Sequence, residues 1–68
     1  MAKGSIDQAI KNFNQAISIN PRYAEAYYQM GLAFVHKKIK ESALQYLTKA
    51  KSLDSNLSKK VDENIQKL

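Results

Sequence analysis

The chain contains 68 residues, with a formal net charge of +5, 44% hydrophobic residues and no cysteine. A chain of this length forms one small domain, whose single hydrophobic core is marginal without a crosslink or a partner. No disulfide can supply that crosslink. The one histidine, His36, has no cysteine or second histidine with which to bind zinc, so we expect neither a metal nor another cofactor.

No apolar run approaches the roughly 20 residues that span a bilayer, and the N-terminal MAKGS lacks the apolar centre of a signal peptide. We therefore expect a soluble, cytoplasmic protein with no membrane partner. The charge is uneven: residues 1–36 carry three basic and two acidic groups, whereas residues 37–68 carry eight and four. The C-terminal half thus suits an acidic partner, nucleic acid or an anionic surface, or is only well solvated.

Periodicity and break signals predict a first helix over 5–19, opened by Ser5, which lies three residues before a glutamine in capping-box spacing. Asn20 and Pro21 end this helix, because proline excludes helical geometry from the preceding residue. Proline is also tolerated in a first helical turn, so the second helix is predicted over 22–36, with Asn20 as its N-cap.

The third helix is predicted over 40–53 and the fourth over 57–68. Asp54, Ser55 and Asn56 separate them and supply N-cap candidates for the fourth helix. Helical spacing places one set of third-helix residues inward and one outward. The inward set is Ala43, Leu44, Leu47, Ala50 and Leu53, the outward set is Lys40, Gln45, Lys49 and Lys51, and the apolar stripe of the fourth helix is Leu57, Val61, Ile65 and Leu68.

A bulky stripe with one gap marks the second helix: Tyr27, Met30, Gly31 and Phe34 recur at helical spacing. A glycine inside a helix costs roughly 1 kcal/mol relative to alanine, and close approach of another backbone is the usual compensation. The stripe therefore predicts that another helix packs tightly at Gly31.

The spacing Tyr27-x2-Met30-Gly31-x2-Phe34 resembles the Trp-x2-Leu-Gly-x2-Tyr signature of the tetratricopeptide repeat, a helix hairpin of about 34 residues. The later part of that signature, Ala-x3-Phe followed by alanine and proline, is recognisable twice, with corresponding residues 34 positions apart. The first copy is Ala9, Phe13, Ala16 and Pro21, and the second is Ala43, Leu47, Ala50 and Ser55.

This resemblance implies an all-α fold of antiparallel helix hairpins in a right-handed α-solenoid, with about two repeats in one domain, 1–68. The segment 5–19 would be the second helix of a truncated repeat, 22–53 a complete repeat and 57–68 a C-terminal capping helix. Two departures from the pattern matter. Ile65 replaces glycine on the fourth helix, and Lys38 stands where the offset from Gly4 predicts a turn glycine, so a positive φ there would be strained.

In relatives, positions on the first helices line a concave groove that contacts a bound peptide. The resemblance implies that this chain is a non-catalytic protein-interaction scaffold, binding a short apolar or amphipathic segment. Tyr28 and Leu32 occupy positions where some relatives clamp a terminal carboxylate, so recognition of acidic chaperone tails is not implied. The candidate groove comprises Glu25, Tyr28, Leu32, Val35, His36, Lys59, Asp62 and Gln66.

An alternative for Tyr28, Leu32 and Val35 is that they simply pack against neighbouring helices. An enzyme is not expected, since His36 has no nucleophile at a telling spacing and the carboxylates are scattered. Clustered lysines would suit phosphate contacts, but base recognition would want arginine or exposed aromatics, so nucleic-acid binding is a weaker hypothesis. Those lysines are Lys37, Lys38, Lys40, Lys49, Lys51, Lys59 and Lys60.

A third hypothesis is a self-associating fragment of a longer repeat array. The first helix carries the inward pattern of a second helix without its own first helix, and about three repeats are normally needed to bury such faces. A homodimer could cover the face, by a two-fold contact or by exchange of helices across the turn at 37–39. The apolar residues of that face are Ile6, Ile10, Phe13 and Ile17.

Overall fold

The computed structural model describes residues 3–68, and side chains from Ser5 onward. Over this part the chain forms four α-helices and no strand, which confirms the predicted all-α fold. Each helix packs chiefly against its neighbour in sequence, and the contact between the second and third is the most extensive. The elements are α1 (Lys3–Ile19), α2 (Ala24–His36), α3 (Lys40–Leu53), a 3-10 turn (Ser55–Leu57) and α4 (Ser58–Gln66).

The first helix begins at Lys3, two residues before the predicted start. Ser5 is therefore helical, whereas a capping-box serine must precede the helix with non-helical geometry, so the predicted capping role is wrong. Gly4, expected in a turn, is also inside the helix and has no positive φ. Glycine is unfavourable in a helix but does not end one, so α1 extends two residues before Ser5.

The second helix begins at Ala24, because residues 20–23 form a β-turn. The Tyr23 N–H donates to the Asn20 carbonyl oxygen at 3.1 Å, and the Asn20 side-chain oxygen accepts from the Arg22 N–H at 3.2 Å. Proline at the second turn position and asparagine at the first are the residues that this turn favours. Asn20 thus organises the turn and does not cap α2, where Tyr23 precedes the helix without a side-chain cap.

A left-handed residue ends α2. Lys38 has a φ of 62°, the one positive φ of a non-glycine residue in the described chain. The Lys38 N–H donates to the Val35 carbonyl at 3.0 Å and the Ile39 N–H donates to the Phe34 carbonyl at 2.9 Å. This is the Schellman arrangement, which usually has glycine at the left-handed position. Lys38 thus takes the positive φ for which the sequence analysis expected strain.

The break between α3 and α4 is held by Asp54, whose side-chain oxygen accepts from the Asn56 N–H at 3.0 Å. Residues 55–57 form a 3-10 turn that leads directly into α4 at Ser58, one residue after the predicted start. The helix ends at Gln66, short of the predicted end of the chain. Asp54 thus caps the 3-10 turn, and α4 itself has no side-chain cap.

The core is centred where α2 crosses α3. A Cβ added to Gly31 would lie 2.6 Å from the Leu47 Cδ2 and 3.2 Å from the Leu47 backbone nitrogen, too close for any side chain. Leu47 is fully buried, together with Ala43 and Ala50, and it forms a cluster with Ala50, Leu57 and Val61. The missing side chain at Gly31 is therefore what lets Leu47 lie against the α2 backbone.

Beside this contact, Tyr46 of α3 lies against two rings of α2. Its ring is nearly parallel to that of Phe34, with centroids 5.4 Å apart and an interplanar angle of 9°. The centroid of the Tyr27 ring lies 6.2 Å from that of Tyr46. Offset aromatic pairs at such distances contribute roughly 0.5–1.5 kcal/mol beyond their buried area. The bulky stripe of α2 thus has a partner on α3 that repeat spacing did not indicate.

Substituting Gly31→Ala is expected to destabilise the protein by about 1 kcal/mol. The gain in helix propensity, about 1 kcal/mol, is outweighed by an overpacking cost of about 1–3 kcal/mol, since buried Leu47 has no room to move. Thermal melts of Gly31→Ala in two backgrounds isolate the contact. In a Leu47→Ala background the same substitution should become stabilising, and an equal effect in both would refute close packing.

Substituting Lys38→Gly should stabilise the fold by about 0.5–1 kcal/mol. A left-handed geometry costs a side chain about 1–2 kcal/mol, and the greater freedom of glycine in the unfolded chain offsets part of this gain. Lys49→Gly is the matched control, because Lys49 is exposed within α3 and should lose about 1 kcal/mol instead. Urea melts in which both variants lose stability would contradict the strain at Lys38.

Candidate functional site

The helices α2 and α4 lie beside each other and run in the same direction. The Asn64 side-chain amide donates to the Tyr28 hydroxyl at 3.3 Å and to the Lys60 carbonyl at 2.8 Å. Further along the chain, Val35 of α2 and Leu68, two residues after the end of α4, line the same cleft. Residue numbers thus rise together along this contact, which brings the side of α2 that carries Tyr28 and Val35 toward α4.

The candidate groove residues of α2 divide between two neighbours. Tyr28 and Val35 are half-buried and pack against the cluster of α3 and α4 residues around Leu47. Leu32 is half-buried and, with the exposed His36, faces α1 instead. Glu25 is exposed and accepts from the Gln29 side-chain amide at 3.3 Å.

The three candidate residues of α4, Lys59, Asp62 and Gln66, are exposed. Asp62 accepts from the Lys51 ammonium group of α3 at 2.9 Å. Both side chains of this pair are about half exposed, at 44% and 52%, so solvent screening leaves it a small contribution to stability. The pair nevertheless directs the Asp62 carboxylate toward α3.

Two residues that the sequence reasoning did not assign to a role belong to this region. Asn64 fixes the Tyr28 hydroxyl, and Tyr46 fills the space between Tyr27 and Phe34. Asn64 was noticeable in the sequence, since it stands where the repeat offset places Met30. An amide in an otherwise apolar stripe needs a hydrogen-bonding partner, and that requirement could have pointed to Tyr28.

A second concave surface, the α1–α2 cleft, has a volume of about 220 Å³. Equivalent repeat positions on the two helices that flank α2 differ in burial. Ala43 and Leu47 of α3 are fully buried, whereas Ala9 and Phe13 of α1 are only half-buried. The apolar side of α1 is thus partly open. The cleft is lined by Ile6, Ala9, Phe13, Gln29, Leu32, Ala33 and His36.

Across 3–68 no group of three or more histidine or carboxylate side chains is close enough to hold a metal ion, and every fully buried side chain is apolar. Within the same range, no helix is sufficiently long and apolar to cross a membrane.

The signature residues are placed in three groups. Met30, Gly31, Ala43, Leu47 and Ala50 are buried where α2 meets α3. The aromatic signature residues of α1 and α2 and the signature alanines of α1 are half-buried, whereas Pro21 is exposed in the turn. The half-buried signature residues are Ala9, Phe13, Ala16, Tyr27 and Phe34.

Two protein-family models match the chain. One, described as TPR repeat, matches residues 1–37, which is more than half of the chain, and the other, described as Tetratricopeptide repeat, matches residues 24–57. Neither the curated proteins nor the solved structures compared with the chain gave a match. The chain belongs to the tetratricopeptide repeat family, whose repeats are generally non-catalytic modules of protein–protein interaction.

Proposed function

We propose that the protein is a non-catalytic scaffold that binds a short peptide or a helical segment of another protein between α2 and α4. The observation that carries this proposal is the hydrogen bond from the Asn64 amide of α4 to the Tyr28 hydroxyl of α2, which links the two helices. The bound segment contacts an apolar centre with polar and charged ends. The contacting residues are Glu25, Tyr28, Leu32, Val35, His36, Lys59, Asp62 and Gln66.

The chemistry of the groove supports an amphipathic ligand. Tyr28 has its ring packed against the core and its hydroxyl hydrogen-bonded, so little side-chain entropy remains to be lost when a partner binds. Aromatic residues held in this way are frequent anchors of protein interfaces. Leu32 is half-buried on the side of α2 that faces α1 and extends the apolar surface there, and the exposed Glu25 and His36 supply polar groups at its ends. A helix with one apolar face fits such a surface.

Substituting Leu32→Ala should weaken peptide binding about five- to tenfold, since truncation of an interface anchor costs 1 kcal/mol or more. Its stability loss should stay below the roughly 2–5 kcal/mol of a fully buried Leu→Ala, because Leu32 is only half-buried. A peptide selected from a displayed random library provides the ligand, and calorimetry measures its affinity. Amide chemical shifts should change mainly along α2 and α4.

The matched control is Leu44→Ala, which makes the same truncation at a half-buried leucine of α3. It should lower stability by a similar amount and leave the affinity unchanged. Equal losses of affinity in the two variants, or shift changes confined to α1 and α3, would contradict the groove.

A second candidate function, self-association, is favoured by the open α1–α2 cleft. Exposed apolar surface of this kind is a liability for a free monomer, and a second copy of the chain can cover it. A homodimer would bury Ala9 and Phe13 of each protomer, whereas Ile6, expected on the uncovered face, is already buried in the single chain. The equivalents of Ala9 and Phe13 on α3 are Ala43 and Leu47, which are fully buried, so a helix is the element that suits this surface.

Sedimentation equilibrium over about a hundredfold concentration range tests the dimer, whose mass and melting temperature should both rise with concentration. Phe13→Asp should shift the equilibrium to monomer by placing a carboxylate in the apolar contact. Asn14→Asp adds the same charge at an exposed neighbouring position and should not. A constant monomer mass with a concentration-independent melting temperature would rule the dimer out.

A further inference from the structure

A cleft rimmed by lysines lies where α2 and α4 end and α3 begins. It is lined by Val35, Lys38, Lys40, Lys67 and Leu68, and its volume is about 460 Å³. We name these five residues the lysine cleft. The lysines come from three places: Lys38 from the turn after α2, Lys40 from the start of α3 and Lys67 from the end of α4.

The lysine cleft has cations without carboxylate partners. The two ion pairs formed within the described residues are Lys37 with Asp7 and Lys51 with Asp62, and neither includes a lysine of the cleft. Lys38, Lys40 and Lys67 thus form no ion pair within that part of the chain. Solvated lysines are common on surfaces, so their shared position around a concavity is the informative feature.

The helix ends account for little of this charge. The ends of α2 and α4 each contribute about −0.5 elementary charge, and the start of α3 contributes about +0.5. Their sum is about −0.5, against three positive side chains. The three lysine side chains outweigh this sum, so the lysine cleft attracts anions even after the helix dipoles are counted.

The backbone of Lys38 gives a separate indication of function. With a φ of 62°, this position suits glycine, and a lysine there is strained. Strained residues persist where the surrounding structure imposes them, and they are concentrated at binding sites. Here the strain places a cation at the rim of the cleft, where glycine would leave none.

The remaining lining is aliphatic. Val35 and Leu68 are half-buried side chains that form the apolar part of the cleft. A cavity of about 150 Å³ admits a benzene ring, so the lysine cleft has room for an aliphatic side chain. A ligand that satisfies both parts carries anionic groups on either side of an apolar one.

We propose that the lysine cleft binds an acidic segment of a partner protein, with carboxylates at Lys38, Lys40 and Lys67 and one aliphatic side chain against Val35 and Leu68. This assignment rests on the proposed function, because it gives the charge of the segment at one end of the groove. A nucleic acid fits less well, since the cleft has no arginine and no aromatic ring on which a base could stack.

A fluorescein-labelled peptide, Glu-Glu-Leu-Glu-Glu, is the probe, and fluorescence anisotropy at low ionic strength measures its affinity. Substituting Lys38→Gly, Lys40→Gln or Lys67→Gln should each weaken binding about two- to fivefold, the range of one exposed charge pair. The lysine control is Lys49→Gln, an exposed position on α3 outside the cleft that should leave the affinity unchanged. Probes with glutamine for glutamate, or serine for leucine, should also bind more weakly.

The Lys38→Gly variant separates binding from folding, because it should melt at a higher temperature while binding the probe more weakly. Equal losses from Lys49→Gln and the cleft variants would overturn the proposal in favour of net charge alone. An oligothymidine that binds more tightly than the peptide, and loses affinity in the same three variants, would overturn it in favour of nucleic acid.

The groove and the lysine cleft can fail separately. Library-selected peptides that lose affinity in Leu32→Ala but in none of the lysine variants would overturn the lysine cleft and leave the groove standing. Probe binding that depends on the three lysines, with no library peptide sensitive to Leu32→Ala, would overturn the groove and support an acidic ligand at the cleft alone.

Discussion

The contact of Leu47 with the backbone at Gly31 is the constraint on which the rest of the structure depends. It brings α2 and α3 together closely enough for Tyr46 to lie against Tyr27 and Phe34. It also places Leu47 in the cluster with Leu57 and Val61 against which α4 packs. A glycine costs helix propensity, so this position is favourable only because the other helix occupies the space. The surface between α2 and α4 therefore depends on the contact between Gly31 and Leu47, which lies on another side of α2.

Helix α2 is shared by every part of the molecule that has a candidate role. One side of it meets α1, another meets α3 and a third meets α4 through the hydrogen bond between Tyr28 and Asn64. Such sharing explains why groove residues and packing residues overlap: Tyr28 and Val35 contact the core and also border the surface. In a chain of 68 residues, most of the surface lies directly over core residues.

Sequence reasoning was most successful where two repeat positions constrained one another. The bounds of α3 agree with the prediction. The positive φ of Lys38 matches the turn position that the offset indicated, although Gly4, from which the offset was counted, lies inside α1. The N-cap assigned to Asn20 is wrong because its side chain and Pro21 stabilise a turn, a local competition that periodicity does not describe. The roles of Tyr46 and of the lysine cleft depend on residues far apart in sequence. Lys38 and Lys67 meet only after α2, α3 and α4 have packed, so neither residue's surroundings could be predicted from its neighbours in the chain.

The order in which the helices pack has a consequence for how the chain folds and opens. Because each helix chiefly contacts its neighbour in sequence, the fold has low contact order, and helical proteins of this kind fold within microseconds to milliseconds. Helix α1 rests chiefly on α2, with an open apolar cleft beside it. It can therefore detach without disturbing Gly31 and Leu47, and its amides should exchange with solvent through openings smaller than global unfolding. The hairpin of α2 and α3 is then the last unit to lose its protection.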